Sequence, residues 1–150
     1  MDRKLYVGFK GKNNASSILV NSISNDGFLL TNSFEGLKRD IESLNPCYDC
    51  VILFGIDKKL SNSVRIEKTA EKTTKEFSKL NLEELSVQLD AVGLSNRISN
   101  LPTNYLCNEA YWHLLQKFNG RAVLIHIPSI KNIHENLIAG FKQVFGQTPA

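Results

Sequence analysis

Continuous apolar runs alternate with amphipathic stretches along most of the chain. The runs Cys50–Gly55 and Ala122–Ile127 predict two strands that are covered on both faces, because a strand with one wet face alternates between apolar and polar residues. Shorter strands are predicted at four other places: Lys4–Phe9, Phe28–Leu30, Val64–Ile66 and Asn96–Asn100.

Apolar positions three and four residues apart predict helices between these strands. The clearest helix has Ser33 as its N-cap and an apolar stripe at Phe34, Leu37, Ile41 and Leu44. Others are predicted at Ala15–Ser24, from Asn81 to Gly93, from near Cys107 to Phe118, and from Asn132 to Phe145. Alternating strands and helices favour an α/β fold. We expect residues 1–150 to form one domain, a three-layer α/β/α sandwich around a mostly parallel or mixed sheet.

Composition narrows the function classes. Of 150 residues, 42% are hydrophobic and 22% charged, with a net charge of +3. No apolar run approaches the ~18 residues of a membrane span, and the first residues lack the apolar core of a signal peptide, so a cytoplasmic location is expected. The basic stretch from Lys68 to Lys79 is interrupted by Glu71 and Glu76, which predicts a solvated face rather than a nucleic-acid site.

The cysteine count argues against a disulfide framework. There are three cysteines, Cys47, Cys50 and Cys107, and an odd number in a chain without an export signal favours free thiols. The spacing of Cys47 and Cys50 suits redox or metal chemistry. However, no second pair of metal ligands has a suitable spacing, and the two cysteines precede a strand rather than a helix. Two cysteines flanking a turn are therefore the favoured interpretation.

Three residues suggest thiol chemistry. Cys107 follows a turn at a predicted helix start, where unpaired N–H groups would stabilise a thiolate, although a small buried core residue fits its position equally well. His126 lies near the carboxyl end of a buried strand, where open α/β sheets place their sites; taken alone, it is more simply a core histidine. Glu67 ends a short strand and could orient an imidazole, or it could be a surface glutamate.

These three residues lie in segments that resemble one known family. Tyr105–Asn108 resembles the nucleophile segment of the pyroglutamyl peptidase I family, also called pyrrolidone-carboxylate peptidases. Leu124–Pro128 resembles the segment with the family's catalytic histidine, and Val64–Ala70 the segment with its catalytic glutamate. The chain order of the three segments is the same. The chain is similar to a shortened and divergent member.

The resemblance implies a cysteine peptidase or amidase that removes an N-terminal pyroglutamyl or similar small acyl group. Cys107 would be the nucleophile, His126 its base and Glu67 the third member. Phe9 would pack against the acyl group, and Asn14 would bind substrate or cap the first helix. The substrate would be a small peptide or N-acyl amide, with no metal or organic cofactor, no nucleic acid and no membrane. Because members of the family self-associate, a homo-oligomer is also implied.

Two departures from the family pattern keep a second interpretation open. Pro102-Thr103 replaces the family's Ala-Gly before the cysteine, where the turn shapes the oxyanion donors. The loop of residues 57–62 contains no arginine, whereas the family has one there that is thought to hold the oxyanion; Lys58 or Lys59 could substitute, without the guanidinium fork. The second interpretation is a catalytically inactive relative that binds a ligand or a partner.

Overall fold

The fold is taken from a computed structural model that describes residues 3–146. The strands are β1 (Lys4–Phe9), β2 (Phe28–Leu30), β3 (Cys50–Ile56), β4 (Ser63–Glu67), β5 (Thr69–Glu71), β6 (Lys75–Phe77), β7 (Ser95–Ser99) and β8 (Ala122–Ile127). The helices are α1 (Ala15–Ile23), α2 (Phe34–Glu42), α3 (Leu82–Ala91), α4 (Tyr105–Lys117) and α5 (Glu135–Phe145).

The main sheet has six strands in the order β2-β1-β3-β8-β4-β7. Strands β2, β1, β3 and β8 run parallel to one another, whereas β4 runs antiparallel to β8 and parallel to β7. The reversal has a simple cause. Only residues 57–62 separate β3 from β4, which is too few for the crossover that a parallel return requires. The sheet is therefore mixed.

Helices cover both faces of the sheet, which confirms the predicted three-layer α/β architecture. Apolar residues of α1, α3 and α5 pack on one face, and those of α2 and α4 pack on the other. The central strands supply both layers: Ile52 and Phe54 of β3 face the first, while Val51 and Leu53 face the second. This double coverage explains why β3 and β8 are apolar at every position.

Predicted helix starts are confirmed by their caps. The hydroxyl of Ser33 accepts a hydrogen bond from the N–H of Gly36 at 3.0 Å, and the Asn81 side chain accepts one from Glu84 at 3.0 Å. Helix α4 begins at Tyr105, so Cys107 is the third residue of the helix rather than the first. Helix α5 begins at Glu135, three residues later than the pattern predicts.

The stretch from Lys68 to Lys79 contains a hairpin that the charge pattern did not predict. Strands β5 and β6 pair antiparallel as a separate two-stranded sheet that packs against α4. The indole N–H of Trp112 in α4 donates to the carbonyl of Thr74 between the two strands at 2.9 Å. Within residues 3–146, no helix has both the length and the apolar character needed to cross a membrane.

Candidate active site

One row of residues crosses four neighbouring strands at the same level. Gly55 of β3 pairs with His126 of β8, His126 pairs with Arg65 of β4, and Arg65 pairs with Arg97 of β7. Directly paired residues present their side chains on the same face of a sheet. Helix α4 covers this face at the end of the row where Gly55 lies, and it brings Cys107 there.

The missing side chain of Gly55 makes room for Cys107. A Cβ atom at Gly55 would lie 2.6 Å from Cys107 Sγ and 3.5 Å from Cδ2 of His126. Any larger residue at this position would collide with the sulfur. The thiol and the imidazole therefore approach the same point above the sheet, so the structure brings these two predicted site residues together.

The His126 ring is held by Glu67. Nδ1 of His126 lies 2.7 Å from Oε2 of Glu67, in a contact where the glutamate is fully buried and the histidine is 4% exposed. The hydroxyl of Tyr111 in α4 donates to the backbone carbonyl of Glu67 at 2.7 Å, which fixes this end of β4. Nε2 of His126 makes no hydrogen bond to any residue in 3–146. It adjoins Cδ2, the ring atom nearest the point shared with Cys107.

Arg65 ties the glutamate to a second carboxylate. Its Nε donates to Oε2 of Glu67 at 2.5 Å, and its Nη2 pairs with Asp57 at 2.8 Å. The same Nη2 lies 3.3 Å from Nδ1 of His126. A ring nitrogen that donates its proton to Glu67 cannot also accept one from Arg65. The Glu67 contact therefore sets the imidazole tautomer, with the proton on Nδ1.

The ion pair between Asp57 and Arg65 shifts the pKa values of both residues. Partial burial of Asp57 works to raise its pKa, but a hydrogen bond from the Lys59 backbone N–H and the ion pair with Arg65 hold that pKa below its usual value. Burial also works to lower the pKa of Arg65, yet its bonds to Glu67 and Asp57 raise it. Both carboxylates of the site therefore have a fixed positive partner.

The thiol does not behave as its helix position predicts. Burial raises the pKa of Cys107 to about 11; a hydrogen bond from the backbone N–H of Ile56 offsets part of this, and the charges of Glu67 and Asp57 add to it. The expectation of a stabilised thiolate is therefore wrong for the substrate-free protein. Desolvation is the largest cause, and the charges of two nearby carboxylates also disfavour the thiolate.

These residues line a cavity of about 740 Å³. Cys107, His126 and Glu67 lie on its walls together with Arg65 and Arg97. The exposed apolar side chains of Leu101 and Tyr105 also line it.

No family model matches the sequence, and no curated protein matches it. Solved structures, by contrast, match the fold of the chain. The pyrrolidone carboxyl peptidase from Thermococcus litoralis superposes with a TM-score of 0.77 at 17% identity, over 96% of this chain and 91% of that one. The pyrrolidone carboxyl peptidase from Thermus thermophilus superposes with a TM-score of 0.79 at 14% identity, over 95% of this chain and 97% of that one. Pyroglutamyl peptidase I from Bacillus amyloliquefaciens superposes with a TM-score of 0.77 at 13% identity, over 97% of this chain and 95% of that one.

The fold is that of the pyrrolidone carboxyl peptidases. The resemblance found in three short segments of the sequence is thereby confirmed for the fold. Identities of 13–17% in these structures mean that the site residues have to be argued from their own geometry.

The two residues predicted to bind substrate lie outside the cavity that Cys107 and His126 line. Phe9 is only 4% exposed and packs in the core beneath α2 and α4, because the alternation of β1 points Leu5, Val7 and Phe9 toward that layer. Asn14 caps α1: its Oδ1 accepts hydrogen bonds from the backbone N–H of Ser16 at 2.9 Å and from its hydroxyl at 2.5 Å. Neither residue lines the cavity in this structure.

The structure adds three residues that the sequence patterns did not single out: Asp57, Arg65 and Arg97. A signal for Arg65 was present. It lies two positions before Glu67 in a predicted strand, so the two side chains had to share a face. Asp57 follows the carboxyl end of β3, which is also a recognisable position for site residues. Arg97 could be placed only once the pairing of β4 with β7 was known.

Cys47 and Cys50 flank the turn before β3 and are each half-buried. Among the residues that the structure describes, no group of three or more His, Cys, Asp or Glu side chains is arranged to hold a metal ion.

Proposed function

We propose that the chain is a cysteine peptidase or amidase of the pyroglutamyl peptidase I type, removing an N-terminal pyroglutamyl or similarly small acyl group. One observation carries the proposal. Cys107 Sγ and the free edge of His126 approach the same point above Gly55, while the opposite ring nitrogen is held by Glu67 at 2.7 Å. A nucleophile, a base and an orienting carboxylate in this order are the elements of a catalytic triad.

The first step is attack on the amide. Because the Cys107 thiol is protonated in the free protein, its proton must leave as the sulfur bonds to the carbonyl carbon. Nε2 of His126 accepts that proton, and Nδ1 keeps its hydrogen bond to Glu67. The result is a tetrahedral intermediate with a negative oxygen and an imidazolium whose charge Glu67 offsets.

The first turn of α4 supplies donors for the negative oxygen. Asn104 precedes the helix but makes no capping hydrogen bond, so the early N–H groups have no side-chain acceptor. Tyr105, the first helical residue, has φ of 65°, a left-handed conformation that is costly for a residue with a side chain. This turn sets the direction of the Cys107 N–H, which we assign to the oxyanion.

The second step releases the amine and then the acid. His126 donates its proton to the leaving nitrogen as the C–N bond breaks, leaving a thioester on Cys107. A water molecule, deprotonated by His126, then attacks the thioester carbonyl, and the thiol takes back the proton as the acid departs. The step requires Cys107 to be a reduced thiol.

A second candidate function is binding without catalysis. Two observations favour it: the raised pKa of Cys107, and the position of Phe9, which the resemblance assigns to the acyl group, in the core instead of the cavity. In that case the cavity would bind an acylated peptide without cleaving it.

The test is hydrolysis of pyroglutamyl and other small N-acyl aminocoumarin amides. We expect the wild type to release the amine and to form an acyl adduct on Cys107 detectable by mass spectrometry. Cys107→Ser and His126→Gln should each lower kcat/KM by about 10²–10⁴-fold. Cys47→Ser, which changes a cysteine outside the cavity, should stay within about twofold of wild type.

Failure would be unambiguous if the protein is folded. A wild type that shows cooperative unfolding but cleaves none of these amides, and forms no adduct, would exclude the proposed hydrolase and favour the binding function.

A further inference from the structure

Arg97 is a charged residue without a partner on the wall of the catalytic cavity. It is exposed, and within residues 3–146 its guanidinium makes no hydrogen bond or ion pair. The two carboxylates that line the same cavity, Asp57 and Glu67, are both bound by Arg65. The cavity therefore has a positive charge that the protein itself does not neutralise.

The position of Arg65 beside Arg97 makes this unneutralised charge more unfavourable for the sheet. Arg65 and Arg97 are direct register partners on β4 and β7, and like charges placed directly opposite each other disfavour a sheet. Arg65 is stabilised by its two carboxylates, and Arg97 is not. An anion bound by Arg97 would relieve this repulsion.

The row across the sheet shows which part of a substrate Arg97 would meet. Cys107 lies at the Gly55 end, followed by His126, Arg65 and Arg97 on successive strands. Since His126 passes its proton to the departing amine, the leaving group extends past His126 and away from Cys107. Neighbouring strands are about 4.8 Å apart, so the Cα of Arg97 is about 10 Å from that of His126, within reach of an arginine side chain and a short leaving group.

We propose that Arg97 binds a carboxylate on the leaving-group side of the substrate, so that the preferred substrates are N-acyl amino acids or short N-acylated peptides with a carboxylate close to the scissile amide. This inference rests on the proposed hydrolase function. A guanidinium is suited to the role because it binds a carboxylate with two parallel hydrogen bonds.

The test uses substrates that differ only in the carboxylate. Pyroglutamyl-alanine is compared with its C-terminal amide, and pyroglutamyl-glutamate amide with pyroglutamyl-glutamine amide. We expect the wild type to prefer each acid by about tenfold in kcat/KM, and Arg97→Gln to reduce this preference to about twofold or less, chiefly by lowering kcat/KM for the acid.

Three variants separate a specific contact from general charge. Arg97→Lys should keep part of the preference, because the charge remains but the fork is lost. Lys58→Gln removes a charge from the β3 side of the same cavity and should leave the acid-to-amide ratio unchanged. Arg39→Gln changes an exposed arginine on α2, outside the cavity, and should behave as wild type.

The outcomes distinguish the inference from the function on which it rests. Equal hydrolysis of acid and amide, unaffected by Arg97→Gln, would overturn the inference and leave the hydrolase intact. If no substrate is cleaved, calorimetry with Cys107→Ser decides. If adding Arg97→Gln raises the Kd for pyroglutamyl-alanine about tenfold, the carboxylate site stands even though the hydrolase proposal fails. If the Kd is unchanged, or if the dipeptide does not bind, the inference about Arg97 is overturned.

Discussion

At the scale of single residues, Cys107 is subject to opposing influences. The N-terminus of α4 and the N–H of Ile56 favour a thiolate, whereas burial and the charges of Glu67 and Asp57 oppose it. The balance raises the pKa to about 11. A thiol with this pKa is almost entirely protonated at neutral pH, so its proton has to be removed before the sulfur can act as a nucleophile.

The pH dependence of alkylation tests this balance. In the substrate-free protein, the rate of Cys107 modification by iodoacetamide should rise about tenfold per pH unit from pH 7 to 10, because the thiolate fraction does so below a pKa of about 11. Peptide mass spectrometry locates the label. As a control, the denatured protein should level off above the ordinary thiol pKa of about 8.5. A plateau at neutral pH in the folded protein would contradict the raised pKa.

Residue patterns singled out the three residues of the proposed triad but not their surroundings. Cys107, His126 and Glu67 lie in short segments that could be recognised in the sequence. The ion pair of Arg65 with Asp57 depends on the loop that brings Asp57 across β8, and no local pattern contains that information. The resemblance also assigned Phe9 to substrate, although the alternation of β1 points it into the core.

At the scale of elements, the strands and helices with a well-covered apolar face were the ones predicted most accurately from the sequence. Strands β3 and β8 and helix α2 were predicted close to their observed bounds because each has an apolar pattern set by the layers that cover it. The hairpin of β5 and β6 was missed because its strands have three residues each and are partly exposed. Its position depends on contacts with α4, which sequence periodicity does not reveal.

Asn108 is the residue that joins the hairpin to helix α4. Its side chain donates to the carbonyl of Glu71 at 2.7 Å and accepts from the N–H of the same residue at 3.0 Å. The side chain thus pairs with the exposed edge of β5 as another strand would. Because Asn108 directly follows Cys107, this contact also steadies the helix turn that bears the thiol.

Replacing Asn108 should therefore loosen the hairpin. Asn108→Ala is expected to lower the free energy of unfolding by about 1–2 kcal/mol, since two hydrogen bonds are lost, and to speed amide exchange at Glu71. Urea unfolding and hydrogen exchange measure the two effects. Asn13→Ala, at an exposed loop position, is the matched control and should change neither. Unaltered exchange at Glu71 in Asn108→Ala would show that the hairpin is held by other contacts.

At the scale of the whole molecule, the Asp57–Arg65 pair links two parts of the sheet. Asp57 follows β3 in the parallel part, and Arg65 lies on β4, which runs the other way; β8 separates the two strands. The pair therefore passes over the strand that bears His126. Strands β4 and β7 run parallel to each other but antiparallel to the other four strands. We infer that the ion pair holds these two strands against the other four on the side of the sheet where the cavity opens.

The stability of the fold in acid should report on this link. The pKa of Asp57 is lowered in the folded protein, so its contribution is fully present above the unfolded pKa of about 4 and is lost as the pH falls through the lower, folded value. The difference in unfolding free energy between wild type and Asp57→Asn should thus be constant from pH 7 to about 5 and shrink below about pH 4. Asp26→Asn, where the aspartate makes no ion pair within residues 3–146, should show no such pH-dependent difference. If the Asp57→Asn difference were the same at every pH, the aspartate would act by packing or hydrogen bonding alone. The link between the two parts of the sheet would then not depend on its charge.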